Sequence, residues 1–177
     1  MKFSLLILLT TLLLIRTGLL CASPEGTAGP LIGNVTPNSA TVWLFSARGT
    51  RCEAFVSPDL QTLFDTRVPF TPVNNPAGKF EGTMQFATLK ELRPDTIYHY
   101  GVRVDGKTAE TLKGSFRTPP PPGTPHKLRM VLTSCMKHGQ PQGSWGLVRS
   151  EKPHLHLTVG DTQYSDTTDP SVQWKHH

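Results

Sequence analysis

The chain has 177 residues, of which 18 are Lys or Arg and 13 are Asp or Glu, so its net charge at pH 7 is +5. The basic residues are scattered and form no run or stripe of the kind that binds nucleic-acid phosphates, which argues against a nucleic-acid partner. The length suffices for one complete domain, or for one small domain and part of another.

Residues 1–22 have the features of a secretory signal peptide. Lys2 supplies the charged start, residues 3–14 are an apolar run, and Leu20-Cys21-Ala22 offers a cleavage site with a small residue. The apolar run is shorter than the ~20 residues of a membrane-spanning helix, so no stable membrane insertion is expected after cleavage. The prediction is a secreted or periplasmic protein.

Cys21 is the basis of a minor alternative, a lipoprotein signal, which the large Leu20 before it disfavours. Loss of the signal peptide would reduce the 18 basic residues to 16 against 13 acidic ones, a net charge of +3. The two cysteines that then remain, Cys52 and Cys135, fall in different predicted domains, which argues against a disulfide between them.

Residues 29–118 have the pattern of a β-sandwich, because short runs rich in β-branched and aromatic residues alternate with turn residues. Trp43 is expected to face the core. Around Tyr98 the sequence resembles the tyrosine corner of fibronectin type III (Fn3) and immunoglobulin-like sandwiches. Asp105-Gly106 predicts a hairpin turn, and four prolines between positions 58 and 76 predict loops and edge strands. The predicted strands are 31–35, 41–45, 52–57, 84–89, 98–104 and 108–116.

The proline-rich segment 119–125 predicts a stiff linker that separates two domains. After it, the pattern changes to a strand at 128–132, a helix at 143–151 and a strand at 155–159. The crossover is long enough for the two strands to pair in parallel. The predicted fold class is therefore mainly β, an Fn3-like β-sandwich at 29–118 followed by the first β-α-β part of an α/β domain at 126–177.

Three side chains near the ends of these last two strands could carry chemistry. Cys135 and Asp161 each follow an apolar strand, and ligands in α/β sheets collect at the carboxyl ends of the strands. Tyr164 follows Asp161 by three residues. A thiolate, a carboxylate and a phenolate together could bind a Lewis-acidic metal such as ferric iron. The alternatives are a buried cysteine, an aspartate that forms a turn and a partly buried tyrosine ring.

Three stretches of the sequence resemble the PhoD-like (alkaline phosphatase D) branch of the calcineurin-like metallophosphatases. The first is GPLIGNVTPNSATVWL at 29–44, which is also similar to the N-terminal domain of purple acid phosphatases. The second is Ser134-Cys135 after the first strand of the following domain. The third is PHLHLTVGDTQY at 153–164, in which His154 stands where the family has an acidic residue.

The resemblance implies an exported phosphoesterase that hydrolyses phosphate mono- or diesters. It implies that Cys135, Asp161 and Tyr164 bind Fe³⁺, and that Asp161, the predicted catalytic residue, bridges to a second metal, Ca²⁺. The family's later motifs, Gly-Asn-His-(Asp/Glu) and Gly-His-x-His, do not occur in this sequence. The expectation is therefore an N-terminal fragment with a truncated metallophosphatase domain, inactive by itself.

The alternative hypothesis is a secreted Fn3-like binding or spacer module, with a degenerate tail in which Cys135, Asp161 and Tyr164 have no function. A carbohydrate-binding version of this module would need an exposed aromatic platform. The sequence disfavours it, because Trp43, Tyr98 and Tyr100 all fall on strands of the core type. No oligomeric state is indicated.

Overall fold

The computed structural model describes residues 26–73, 82–135, 143–162, 164 and 166–169. The predicted signal peptide and the lipoprotein alternative at Cys21 lie outside the described residues. Within the described ranges, no helix is long and apolar enough to span a membrane.

Eight strands form two antiparallel four-stranded sheets. The first sheet has the order β1-β2-β6-β5 and the second the order β4-β3-β7-β8. The strands are β1 (Ala28–Gly33), β2 (Ala40–Ala47), β3 (Cys52–Ser57), β4 (Arg67–Pro69), β5 (Thr71–Val73), β6 (Gly82–Leu89), β7 (Ile97–Val104) and β8 (Lys113–Arg117). The prediction of a mainly β fold is confirmed. Between residues 58 and 73 the chain forms the 3₁₀ turn Leu60–Thr62, loops and the short edge strands β4 and β5, as the prolines there predict.

The core lies between the two sheets and is aliphatic. Val42 and Leu44 on β2, Leu89 on β6 and Val102 on β7 have no solvent exposure. Burial of each such side chain contributes about 1.5–3 kcal/mol. Leu112 is also fully buried, but it lies in the 3₁₀ turn Glu110–Leu112. This turn delays the start of the last strand to Lys113, five residues later than predicted.

A tyrosine corner joins the start of β7 to the end of β8. The Tyr98 hydroxyl accepts a hydrogen bond of 2.9 Å from the backbone N–H of Arg93, five residues upstream. The fully buried Thr118 hydroxyl accepts from the N–H of Thr96 at 3.0 Å and donates to the Arg93 carbonyl at 2.6 Å. The tyrosine corner that the sequence around Tyr98 suggested is therefore present, with its hydrogen bonds.

Asp105 and Gly106 form a two-residue hairpin turn, as predicted. Their φ angles are 48° and 76°, the left-handed values that a type I′ turn requires at both positions. Val104 and Lys107 on either side exchange backbone hydrogen bonds of 2.9 and 3.0 Å. A glycine at the second position adopts this conformation without a steric cost.

The expectation that Trp43 faces the core is wrong. Its neighbours Val42 and Leu44 point into the core, so Trp43 lies on the opposite side of the first sheet, half-buried. There it is paired with Leu31 on β1 and Phe86 on β6. We call this surface the outer apolar face. Its members are Leu31, Trp43, Phe45, Val73, Met84 and Phe86, which the strand register places on one side of the sheet.

The remaining elements are β9 (Met130–Thr133), α1 (Ser144–Ser150) and β10 (Leu155–Thr158). The strands pair in parallel, with Leu155 opposite Met130 and Thr158 opposite Thr133, which confirms the predicted β-α-β order. On one face, the Trp145 ring of α1 makes an edge contact with the His156 ring at a centroid distance of 5.3 Å. Residues 118–129, between the sandwich and this unit, contain neither helix nor strand.

Candidate metal centre

Cys135 and Asp161 lie side by side beyond the carboxyl ends of β9 and β10. The two strands run in register, and a hydrogen bond of 2.8 Å from Val159 N–H to the Thr133 carbonyl extends their alignment by one residue. The Cys135 Sγ atom lies 3.6 Å from Asp161 Oδ2. Parallel pairing therefore brings together two side chains that are 26 residues apart in the sequence.

The backbone at both residues is in the left-handed region. The φ angles are 60° at Cys135, 100° at Gly160 and 48° at Asp161. For a residue with a Cβ atom this conformation costs about 1–2 kcal/mol, although aspartate tolerates it better than most. Asp105 has the same conformation in its hairpin turn, so at Cys135 and Asp161 it indicates tight turns that direct the two side chains beyond β9 and β10.

Tyr164 completes the group. Its pKa is raised, first because its hydroxyl hydrogen-bonds to Cys135 and then because it hydrogen-bonds to Asp161. Both partners favour the protonated phenol, since it can donate to a sulfur and a carboxylate while the phenolate cannot. The ring itself is 40% exposed. All three residues that the sequence singled out thus lie within one cluster, which we call the Cys-Asp-Tyr cluster.

The separation of the Cys135 sulfur and the Asp161 carboxylate is compatible with one shared metal ion. A thiolate and a carboxylate bound to one first-row metal at about 2.3 Å and about 2.1 Å lie 3.6 Å apart when their bonds enclose about 110°. Sulfur and anionic oxygen together suit iron or another first-row metal better than magnesium. Among the described residues, no group of three or more His, Cys, Asp or Glu side chains converges, so a site here depends on Tyr164.

In the part of the chain that the structure describes, His156 on β10 and His154 just before it contact the β9 segment and not the Cys-Asp-Tyr cluster. His156 Nε2 lies 2.7 Å from the Thr133 hydroxyl, and His154 Nδ1 accepts a hydrogen bond of 3.0 Å from the Arg129 N–H. Both contacts join the β9 segment to the β10 segment. They hold the strands whose ends carry Cys135 and Asp161, and so support the cluster without belonging to it.

Ser134 contacts the candidate ligand Cys135, and it was not identified as a site residue from the sequence. Its hydroxyl donates to the Cys135 sulfur at an Oγ–Sγ distance of 3.6 Å. A hydroxyl residue directly before a candidate thiolate ligand is the signal that could have identified it, because such hydrogen bonds commonly orient metal ligands.

No family model and no curated protein sequence matches the chain. Among solved structures it is similar to PhoD, with 18% identity, a TM-score of 0.58 and coverage of 79% of this chain and 28% of that chain. It is also similar to purple acid phosphatase PPD1 from yellow lupin seeds, with 15% identity, a TM-score of 0.55 and coverage of 78% and 36%. These values show that the chain shares its fold with part of each of the two structures, of which it spans about a third.

The sensor domain of the anti-sigma factor RsgI4 from Pseudobacteroides cellulosolvens also matches. It is 17% identical, and the match covers 58% of this chain and 96% of the sensor domain. Its TM-score is 0.41, which is too low to support an argument from fold.

Proposed function

We propose that this chain contributes the iron-binding part of the active site to an exported metal-dependent phosphoesterase of the alkaline phosphatase D type, which hydrolyses phosphate mono- or diesters. The observation that carries the proposal is the meeting of Cys135, Asp161 and Tyr164 at the ends of two parallel strands. The fold around them is similar to that of two phosphatases. Because the chain spans 28% of PhoD, the activity is proposed for a protein that contains this chain.

Charge balance favours ferric iron as the ion of this site. Cys135, Asp161 and Tyr164 supply three negative charges when deprotonated, which match the three positive charges of Fe³⁺. Metal ligands must lose their protons, so metal binding here would release the Tyr164 phenol proton and the thiol proton that Cys135 directs at Asp161. Asp161 has two carboxylate oxygens and could share them with a second, oxygen-preferring cation such as Ca²⁺.

When bound, such metals polarise the phosphoryl group and stabilise the charge that develops in ester hydrolysis. The contribution of this chain is positional. The register of β9 and β10 sets the separation of Cys135 and Asp161, and the Gly160 turn presents the carboxylate beyond the strand. All three side chains are exposed, which leaves the site open to a phosphate ester. Export through the N-terminal signal and the lack of a nucleic-acid partner are part of the same proposal.

Metal analysis of matched variants tests the proposal. Iron content and the visible tyrosinate-to-iron charge-transfer band are measured for the wild-type chain and for Cys135→Ala, Asp161→Asn and Tyr164→Phe. Cys52→Ala and Asp166→Asn are the controls, because they change the same residue types and Asp166 has the same φ of 48° as Asp161. The three cluster variants should lose iron and the controls should keep it. Equal iron in all six proteins would contradict the proposal.

Activity is measured separately, as hydrolysis of p-nitrophenyl phosphate and bis-p-nitrophenyl phosphate. The 177-residue chain is compared with a longer protein, which is expressed from the same coding sequence extended downstream. Hydrolysis by the longer protein, lost in Asp161→Asn and kept in Asp166→Asn, is the expected result. If the longer protein bound iron but hydrolysed neither ester, the proposed metal site would still be supported and the proposed phosphoesterase activity would be refuted.

The outer apolar face favours a second candidate function, a carbohydrate-binding module. The rings of Trp43 and Phe86 lie on adjacent strands of this face, beside the outward-facing Thr41 and Thr88. Contiguous apolar surface on a sandwich marks interaction sites, and flat rings with neighbouring hydroxyls suit the faces and edges of pyranose sugars. The half-buried rings of Trp43 and Phe86 would form this aromatic platform, whereas the sequence had placed Trp43 in the core.

Affinity electrophoresis in gels that contain soluble β-glucan or xylan tests this second candidate. Retardation of the wild-type chain, lost in Trp43→Ala, would support it. Trp145→Ala is the matched control, because Trp145 is an exposed tryptophan on α1 and far in sequence from the outer apolar face. Unretarded migration of the wild-type chain in every gel would exclude these polysaccharides as ligands.

A further inference from the structure

The Cys135 side chain is exposed, so packing does not hold its sulfur in place. The polar contacts of this sulfur in the described structure come from Ser134, Asp161 and Tyr164. Two of these partners, Asp161 and Tyr164, are themselves proposed metal ligands. On metal binding they would exchange their contact with the sulfur for a bond to the metal, whereas the Ser134 hydrogen bond is free to persist.

We propose that Ser134 is a positioning residue, which donates a hydrogen bond to the Cys135 thiolate and so orients and tunes the metal–sulfur bond. This inference rests on the proposed metal centre. A hydrogen bond to an ionised sulfur is stronger than one to a neutral thiol. The Ser134–Cys135 contact of 3.6 Å should therefore be strengthened when the thiolate forms.

The hydrogen bond has two consequences for a bound metal. It withdraws electron density from the sulfur, which raises the energy of thiolate-to-metal charge transfer and raises the reduction potential of bound iron. It also restricts the sulfur to one orientation, and loss of such a supporting contact typically weakens metal binding by about 10–100-fold. A residue needed only for folding would change neither the band position nor the potential.

The test uses the full 177-residue chain loaded with Co²⁺, whose thiolate-to-cobalt charge-transfer band reports directly on the sulfur. Ser134→Ala removes the donor and Ser134→Thr restores a hydroxyl. Ser150→Ala is the control, because it removes a serine hydroxyl that donates to the Leu147 carbonyl on α1. The measurements are the band position, the Co²⁺ dissociation constant and, for iron-loaded protein, the reduction potential.

In Ser134→Ala the band should move to longer wavelength, the dissociation constant should rise by about tenfold or more, and the iron potential should fall. Ser134→Thr should lie close to wild type and Ser150→Ala should be unchanged. Far-UV circular dichroism verifies the fold of each variant, and Ser134→Gly replaces Ser134→Ala if the latter does not fold.

If Ser134→Ala had the same band position and the same Co²⁺ dissociation constant as wild type, the role of Ser134 would be refuted, while the metal centre would still be supported. Absence of any thiolate-to-cobalt band in the wild-type chain would refute the metal centre, and the role of Ser134 with it. The two failures are thus distinguished by the wild-type spectrum alone.

Discussion

The tyrosine corner gives the most direct stability prediction. Tyr98→Phe removes the hydroxyl that accepts the Arg93 N–H at 2.9 Å, and keeps the ring, which stacks on Phe116 at a centroid distance of 5.9 Å. The tyrosine is 5% exposed, so the Arg93 N–H loses its partner at a site that water reaches poorly. An unsatisfied buried donor costs about 1–3 kcal/mol, whereas the hydrophobic contribution of the ring is retained.

The matched control is Tyr100→Phe. The Tyr100 hydroxyl lies over Gly114, where an added Cβ would come within 2.4 Å of it, and the described residues offer it no hydrogen-bond partner. Loss of this hydroxyl should change the free energy of unfolding by less than about 0.5 kcal/mol. The two substitutions remove the same atom from the same strand, so their difference isolates the hydrogen bond of Tyr98.

Thermal unfolding followed by circular dichroism measures this difference. For a domain of 60–100 residues, 1 kcal/mol corresponds to a shift in Tm of about 4–8 °C. Tyr98→Phe should therefore lower the Tm by at least about 4 °C relative to wild type, and by at least about 2 °C relative to Tyr100→Phe. Equal midpoints for the two variants would show that the corner hydrogen bond does not stabilise the sandwich, and would refute the reasoning.

Three further predictions concern the core, the close contact of a phenylalanine ring with Gly82, and the Cys-Asp-Tyr cluster. Leu44→Ala should lower the free energy of unfolding by about 2–5 kcal/mol, because it leaves a cavity. The control Leu31→Ala, at a 61% exposed position, should lower it by less than about 0.5 kcal/mol. Urea denaturation measures both. Gly82→Ala should cost about 1–3 kcal/mol in the same assay, because its Cβ would lie 2.0 Å from a ring carbon of the phenylalanine on the adjacent strand. Cys135→Ala should lower the raised pKa of Tyr164 in the metal-free chain, as measured by NMR titration of labelled tyrosine rings. An unchanged titration would show that the sulfur does not hold the phenol proton.

The sign of the last effect follows from the direction of the shift. A raised pKa means that the folded chain favours the protonated phenol, so its contribution to stability is present at neutral pH. That contribution is lost as the pH rises through the pKa of the folded state. Removal of Cys135 removes the first cause of the shift, and the phenol should then ionise closer to its ordinary range.

Much of the candidate site could be predicted from the sequence, because its geometry follows from parallel pairing. Cys135 and Asp161 each stand just beyond an apolar strand, and a long crossover makes the two strands parallel neighbours. The separation of 3.6 Å, the left-handed backbone at both residues and the hydrogen bond from Ser134 were not predictable. They depend on turn conformations that alternating hydrophobicity does not encode.

The sequence by itself determined the features that local chemistry decides. The Asp105-Gly106 turn, the proline-bearing edge strands and the tyrosine corner each follow from the conformational limits or hydrogen-bonding groups of a few neighbouring residues. The tertiary structure decided which face of β2 is buried, because this strand is apolar on both sides and only contact with the second sheet distinguishes Leu44 from Trp43. It also brought the Tyr164 hydroxyl to the sulfur and the carboxylate, since that meeting depends on the folding of the turn after Gly160.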